Sequence, residues 1–318
     1  MLSYLQAVII GVLQGVTELF PVSSLGHSVL VPALIGGDWK HLVTESATSS
    51  SETSPYLAFI VALHVATACA LLMFFRREWI RIIRALLASL APSLRARRIV
   101  AQDPDSRLAW LLVIATIPVG ITGLALEHTF RTLFAKPVAA AAFLTVNGII
   151  LLLGEQLRRR SLGTSPATKR DPAAGPSAEL VIGGDLPTST RTALSSLAYR
   201  EAGLIGLFQT FALFAGISRS GITMVGGLAR GLNHEDAARF SFLLATPIIF
   251  AAGVLKLPSL AGNAGDHIHG QLAVGFVVAG LSAYAAVRFL DRFFRTRTLT
   301  PFAIYSLAAG AFCLIRFA

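Results

Sequence analysis

Six stretches of this chain, Leu57–Phe75, Leu108–Leu126, Val138–Gly154, Phe240–Leu257, Leu272–Val287 and Leu299–Ile315, run 16 to 19 residues each, with Lys256 the only charged side chain among them. About 20 apolar residues carry a helix across a bilayer, and a backbone in hydrocarbon must satisfy its own hydrogen bonds. The chain therefore reads as an all-α polytopic membrane protein with about six transmembrane helices. Only 14% of its residues are charged and the mean hydropathy is +0.67, against roughly 25% charged in a soluble domain.

The net charge of +10 invites a nucleic-acid reading, but the cations sit in three connections: Arg76 to Arg107, Arg158 to Arg200, and Arg288 to Arg297. Pro258–Gly270 holds no Lys or Arg. This alternation is the signature of cytoplasmic loops, and no basic surface interleaved with aromatics accompanies it. Cys69 and Cys313 fall inside spans, where they read as packing residues, and no metal-type Cys or His spacing exists. The apolar start of the chain lacks a basic n-region and a cleavage site, so it is expected to be retained.

Two further apolar segments are broken by polar residues. The first is Gln14-Gly15-Val16-Thr17-Glu18-Leu19-Phe20-Pro21-Val22-Ser23-Ser24-Leu25-Gly26-His27, and the second is Gly216-Ile217-Ser218-Arg219-Ser220-Gly221-Ile222-Thr223. An ungapped shift of 195 residues puts Ala7 on Ala202, Gly11 on Gly206, Gln14 on Gln209, Ser23 on Ser218 and Gly26 on Gly221. Charge bias gives the three spans after each break opposite senses. The expected organisation is an inverted-topology repeat: a first repeat over 1–156, a flexible cytoplasmic linker over 157–199, and a second repeat over 200–318. Re-entrant helical hairpins at 1–36 and 201–232 would meet near the midplane, as transporters with broken helices do. Plain spanning helices with Gly/Pro kinks are the alternative.

Ionisable groups at that depth are costly and tend to be functional. Gln14 and Glu18 share a helix face at i and i+4, Pro21 ends that helix, and Ser23, Ser24 and His27 follow. A carboxylate there suits a divalent cation held through oxygen, or the orientation of a histidine; a serine-rich cap with one satisfied Glu is the plainer reading. Arg219 supplies a planar fork matched to phosphate oxygens, and Ser218, Ser220 and Thr223 add hydroxyls beside glycines that let backbone N–H groups approach. Arg219 is expected to pair with Glu18, with a phosphate ligand, or with both in turn. Together the two breaks describe a diphosphate site whose substrate is itself a lipid. Elsewhere in the spans, His64 reads either as a cavity residue or as a hydrogen-bonded structural histidine. Asn147 reads as interhelical glue and Glu155 as an interfacial residue.

The segments QGVTELFPVSSLGH and AGISRSGIT resemble the two signatures of the undecaprenyl-diphosphatase (bacitracin-resistance) family. Similarity extends through FFRREW, ATIPVGITGLAL and AARFSFLLATPIIFAAGVLKL, leaving out residues 38–54 and 160–198. Ala215 stands where the family usually has proline, and Gln14 takes the amide option of the first motif. The resemblance implies hydrolysis of undecaprenyl diphosphate at the outer face of the bacterial plasma membrane, which regenerates the carrier for peptidoglycan. It implies functional roles for Glu18, Ser24, His27, Ser218, Arg219 and Thr223, and a divalent cation, Mg²⁺ or Ca²⁺, for which the residues offer Glu18, alone or with the Gln14 amide, as ligand. Bacitracin is expected to compete for the lipid, and a homodimer is left open.

In the mechanism these residues support, Arg219 and the hydroxyls bind the diphosphate and stabilise charge at phosphorus. Glu18 holds the cation or orients His27, and His27 serves as general base on Ser24 or water, or as general acid. A polyprenyl-phosphate flippase is the rival, distinguished by a Glu–Ser–His cluster that binding alone does not need; an ion channel is more distant.

Overall fold

The computed structural model describes residues 2–39, 55–125, 136–164, 188–261 and 268–318, and contains no strand among them. Its helices are α1 (Tyr4–Thr17), α2 (Ser24–Ile35), α3 (Pro55–Phe74), α4 (Arg76–Ala96), α5 (Pro104–Ala125), α6 (Pro137–Thr164), α7 (Thr188–Ser195), α8 (Tyr199–Gln209), α9 (Arg219–Ala229), α10 (His234–Ala261), α11 (His269–Phe293) and α12 (Thr300–Phe317). Five of them, α5, α6, α10, α11 and α12, are long and apolar enough to cross a membrane, and the bent pair α3–α4 makes a sixth candidate. The chain is a multi-pass membrane protein.

The chain turns by 87° between α3 and α4. Beyond the turn α4 is amphipathic, with Ile80, Ile83, Leu87 and Leu94 exposed among arginines. A helix of that composition lies along an interface instead of crossing it.

The four short helices α1, α2, α8 and α9 have 14, 12, 11 and 11 residues. None reaches across a bilayer at 1.5 Å per residue. The first helix of each pair packs on the other half of the chain: α1 lies against α11, and α8 lies against α5. Glycine permits both approaches. A Cβ on Gly11 would sit 2.9 Å from the Gly275 carbonyl oxygen. At the equivalent position in the shifted register, a Cβ on Gly206 would drive into the Ala115 backbone. Without a hydrophobic force between helices in lipid, such close small-residue contacts supply the packing energy.

Glu155, expected at an interface, is buried. Its Oε1 accepts from His234 Nε2 at 2.5 Å and from the Leu299 amide at 2.8 Å. Arg158 donates to His234 Nδ1 at 2.7 Å, which leaves the proton of a neutral ring on Nε2, facing the carboxylate. Nearby, buried Arg239 donates to Asp291 at 2.8 Å and to the Thr190 hydroxyl at 3.3 Å. These bonds tie α6, α7, α10 and α11 together at the arginine-rich end. Both ends of the expected linker over 157–199 are helical. Helix α6 runs on to Thr164, α7 is docked with Leu194 fully buried, and the middle of the linker, 165–187, lies outside the described residues.

Candidate active site

Both broken segments end one helix and start another through a serine cap. Ser23 takes φ +70°, and its hydroxyl accepts the Gly26 amide at 3.2 Å. In the second segment the Ser218 hydroxyl accepts the Gly221 amide at 3.1 Å. Such caps satisfy N–H groups that a helix start leaves open. The two breaks also satisfy each other, because the Ser23 hydroxyl takes the Gly216 amide at 3.0 Å. Gly216 has φ +112°, a conformation that favours glycine. A Cβ on Gly26 would lie 2.9 Å from the Gly216 Cα.

Asn147 of α6 completes this junction. Its Nδ2 donates to the Pro21 carbonyl at 3.0 Å and to the Ser306 hydroxyl at 3.2 Å, while its Oδ1 accepts the Ser218 amide at 2.9 Å. The interhelical role expected of it is what the structure contains, with both breaks among its partners.

Beside the junction lies a cavity of about 270 Å³. Its polar wall comes from Glu18, Ser23, Ser24, His64, Gln209, Ser218 and Arg219, and its apolar wall includes Val61, Val119, Ile248 and Ile249. Glu18 is the hub. Its Oε1 pairs with Arg219 Nη2. Its Oε2 accepts from the Ser24 hydroxyl at 2.5 Å and from Gln14 Nε2 at 3.1 Å, and lies 3.3 Å from His64 Nε2. His64 Nδ1 donates to the Ile60 carbonyl at 2.8 Å, which aims the other ring nitrogen at the carboxylate. The Arg219 guanidinium is held on its second prong by the Ala245 carbonyl at 3.1 Å.

Of the residues expected from sequence, Glu18, Ser23, Ser24, Ser218 and Arg219 line the cavity, while His27, Ser220 and Thr223 do not. His27 Nδ1 donates to the Ser23 carbonyl at 2.7 Å, so its Nε2 accepts from the Tyr305 hydroxyl at 2.8 Å. The contacts of Glu18 are to Ser24, Gln14, His64 and Arg219, so the histidine it orients is His64. Ser220 donates to the Phe20 carbonyl at 3.2 Å. Thr223 donates to the Arg219 carbonyl at 2.8 Å and approaches Gln209 Oε1 at 3.3 Å. From sequence, His64 is either a cavity or a structural residue, and Gln209 is only the register mate of Gln14. Each follows an apolar run, Leu57–Leu63 and Gly203–Phe208, and that was the available signal.

The expected cation does not fit this donor set. Among the described residues Glu18 is the only carboxylate on the cavity wall, both its oxygens are engaged, and a guanidinium already neutralises it. Among the described residues no group of three or more His, Cys, Asp or Glu side chains could hold a metal ion. Six to eight oxygens around calcium, or an octahedral set around magnesium, would have to come largely from elsewhere.

A family model described as bacitracin resistance protein BacA matches residues 7–312. The chain belongs to the BacA family. Relatives in this family include undecaprenyl-diphosphatase 2 of Frankia alni, 62% identical over 100% of this chain and 98% of the relative. The undecaprenyl-diphosphatase of Mycolicibacterium paratuberculosis is 57% identical over 99% of this chain and 97% of its own length. Undecaprenyl-diphosphatase 2 of Chromobacterium violaceum is 40% identical over 98% of each. The BacA match spans both breaks and every helix that lines the cavity.

Arg219 uses its two prongs on different acceptors, and a lysine cannot reproduce that fork. Arg219→Lys is expected to lose about a hundredfold or more of turnover, the effect of one missing oxyanion donor, and so to be nearly as impaired as Arg219→Ala. Steady-state kinetics of the two purified variants check this. Near wild-type turnover in the lysine variant would leave Arg219 a charge partner of Glu18 only.

Proposed function

We infer that this chain hydrolyses undecaprenyl diphosphate to undecaprenyl phosphate and inorganic phosphate, and so recycles the lipid carrier of peptidoglycan synthesis and confers bacitracin resistance. The single observation that carries the chemistry is the Ser24 hydroxyl bonded to Glu18 at 2.5 Å in a cavity that also presents Arg219. Binding or carrying a lipid phosphate needs the arginine. It does not need a hydroxyl held against a carboxylate.

In the sequence of events we propose, the diphosphate draws Arg219 away from Glu18. The carboxylate, relieved of its counter-charge, becomes a stronger proton acceptor toward Ser24. Ser24 Oγ attacks the terminal phosphorus, its proton passes to Glu18, and the bond to the bridging oxygen breaks, releasing undecaprenyl phosphate. Glu18 hands that proton to the departing phosphate and, ionised again, takes one from a water that cleaves the phosphoserine and frees inorganic phosphate; the proton then returns to Ser24 Oγ. Arg219 and Ser218 hold the charge that develops on the equatorial oxygens. His64 steadies Glu18 and lies within reach of its proton. A divalent cation is proposed to accompany the diphosphate on the substrate's own oxygens, as magnesium commonly does.

The apolar wall fits the prenyl chain, which would remain in the bilayer. Val61, Val119 and Ala252 lie in the parts of α3, α5 and α10 remote from the arginine-rich ends. That location supports an active site toward the outer face of the bacterial plasma membrane, where bacitracin would compete for the lipid. We further read the short helices as two re-entrant hairpins, 1–36 and 201–232, in inverted repeats.

Detergent-purified protein should release phosphate from undecaprenyl diphosphate with no bilayer present; binding without release would favour a carrier. For the topology, single cysteines at Ser3 and Asp38, in a background lacking Cys69 and Cys313, should react with an impermeant reagent from the outer face. Cysteines at Arg200 and Arg230 should react from the inner face. Labelling of Ser3 and Asp38 from opposite faces would make α1 and α2 one kinked crossing.

A further inference from the structure

We propose that the side-chain amide of Gln209 is a substrate-binding donor for the diphosphate, and that Thr223 is a positioning residue acting through it; this deepens the phosphatase reading above and rests on it.

Gln209 ends α8 and is only 1% exposed. Its side chain belongs to the cavity wall that includes Ser218 and Arg219. Oε1 faces the Thr223 hydroxyl at 3.3 Å, but Nε2 is buried and has no hydrogen-bond partner among the described residues. A buried donor left unmade is unfavourable, and one that persists beside a cavity calls for an explanation.

The first break supplies that explanation. In the shifted register Gln209 corresponds to Gln14, whose Nε2 donates to Glu18 one helical turn later at 3.1 Å. The residue one turn after Gln209, the counterpart of Glu18, is Leu213. The second half thus keeps the amide donor and lacks the carboxylate that would satisfy it. It also places Arg219 where the first half has Ser24. An uncommitted amide beside Arg219, whose guanidinium the diphosphate draws from Glu18, suits an external anion. A phosphate oxygen completes for Gln209 the bond that Glu18 completes for Gln14.

Thr223 falls into place on the same basis. It does not line the cavity, yet its hydroxyl faces Gln209 Oε1. The hydroxyl proton, shared between the Arg219 carbonyl at 2.8 Å and Oε1 at 3.3 Å, favours the amide with its oxygen toward Thr223 and its nitrogen free for an anion. The amide could otherwise turn over and present its oxygen, which would repel phosphate.

The test measures inorganic pyrophosphate binding by calorimetry on purified full-length protein, alongside KM and kcat for undecaprenyl diphosphate. Gln209→Leu removes the donor while keeping an apolar side chain that needs no partner, so folding should be unaffected. It should weaken pyrophosphate binding and raise KM by about tenfold or more, the effect of one buried donor, with a smaller change in kcat. Thr223→Val should shift both in the same direction, and adding it to Gln209→Leu should cause no further loss. Unchanged pyrophosphate affinity in Gln209→Leu would overturn the proposal, and additive losses would overturn the role of Thr223. Because binding is read without turnover, a failure of wild-type protein to release phosphate would count against the phosphatase reading and leave the Gln209 result interpretable.

Discussion

Glu18 and Arg219, 201 residues apart in sequence, meet as an ion pair where the two broken segments touch. Each is ruinous alone at that depth, since a buried pair that loses one member costs about 3–5 kcal/mol. Their coexistence requires the two breaks to be brought together, and most of the local architecture serves that requirement. Serine caps end the backbone gaps, glycines at 26 and 216 allow contact, and Asn147 binds one segment with each end of its amide. A buried ion pair is seldom retained for stability alone, because apolar residues of similar volume usually serve as well. Here the pair borders a cavity, and Ser24 leans on the same carboxylate. Those two facts favour a pair that opens for an anionic ligand.

The two halves are alike in backbone and unlike in chemistry. Ser23 and Ser218 cap in the same way, and Gly11 and Gly206 make equivalent close approaches. Where the first half carries Glu18 and Ser24, however, the second carries Leu213 and Arg219. One half supplies a carboxylate with a hydroxyl bonded to it, and the other supplies a guanidinium and a buried side-chain amide. A single half could build neither an ion pair nor a site for a diphosphate, so the division of labour explains why the cavity sits between them.

Much of this was legible in the sequence. The spans followed from apolar length, the two sites from ionisable residues inside apolar segments, and their juxtaposition from the common register. Asn147 could be read as glue because an amide in lipid must find partners. The orientation of His27 could not be read. Its spacing from Glu18 suggested a shared site, but the positive φ of Ser23 turns the chain so that the ring meets the Ser23 carbonyl and Tyr305. His64 lies on another helix, and only packing brings it to Glu18. Glu155 looked interfacial because it falls at the end of an apolar run. His234 and the Leu299 amide, both distant in sequence, are what bury it.

The central claim is that substrate and Glu18 compete for Arg219. Glu18→Gln tests it most directly, because the amide keeps an acceptor for the guanidinium while removing the charge. The measurement is the dissociation constant of a non-hydrolysable, methylene-bridged prenyl diphosphate for wild type and for this variant. The account predicts that Glu18→Gln binds the analogue at least as tightly, by about tenfold if the lost competition is worth 1.4 kcal/mol, while turnover disappears. Clearly weaker binding in a folded Glu18→Gln protein would contradict it, and would make the carboxylate part of how the diphosphate is held.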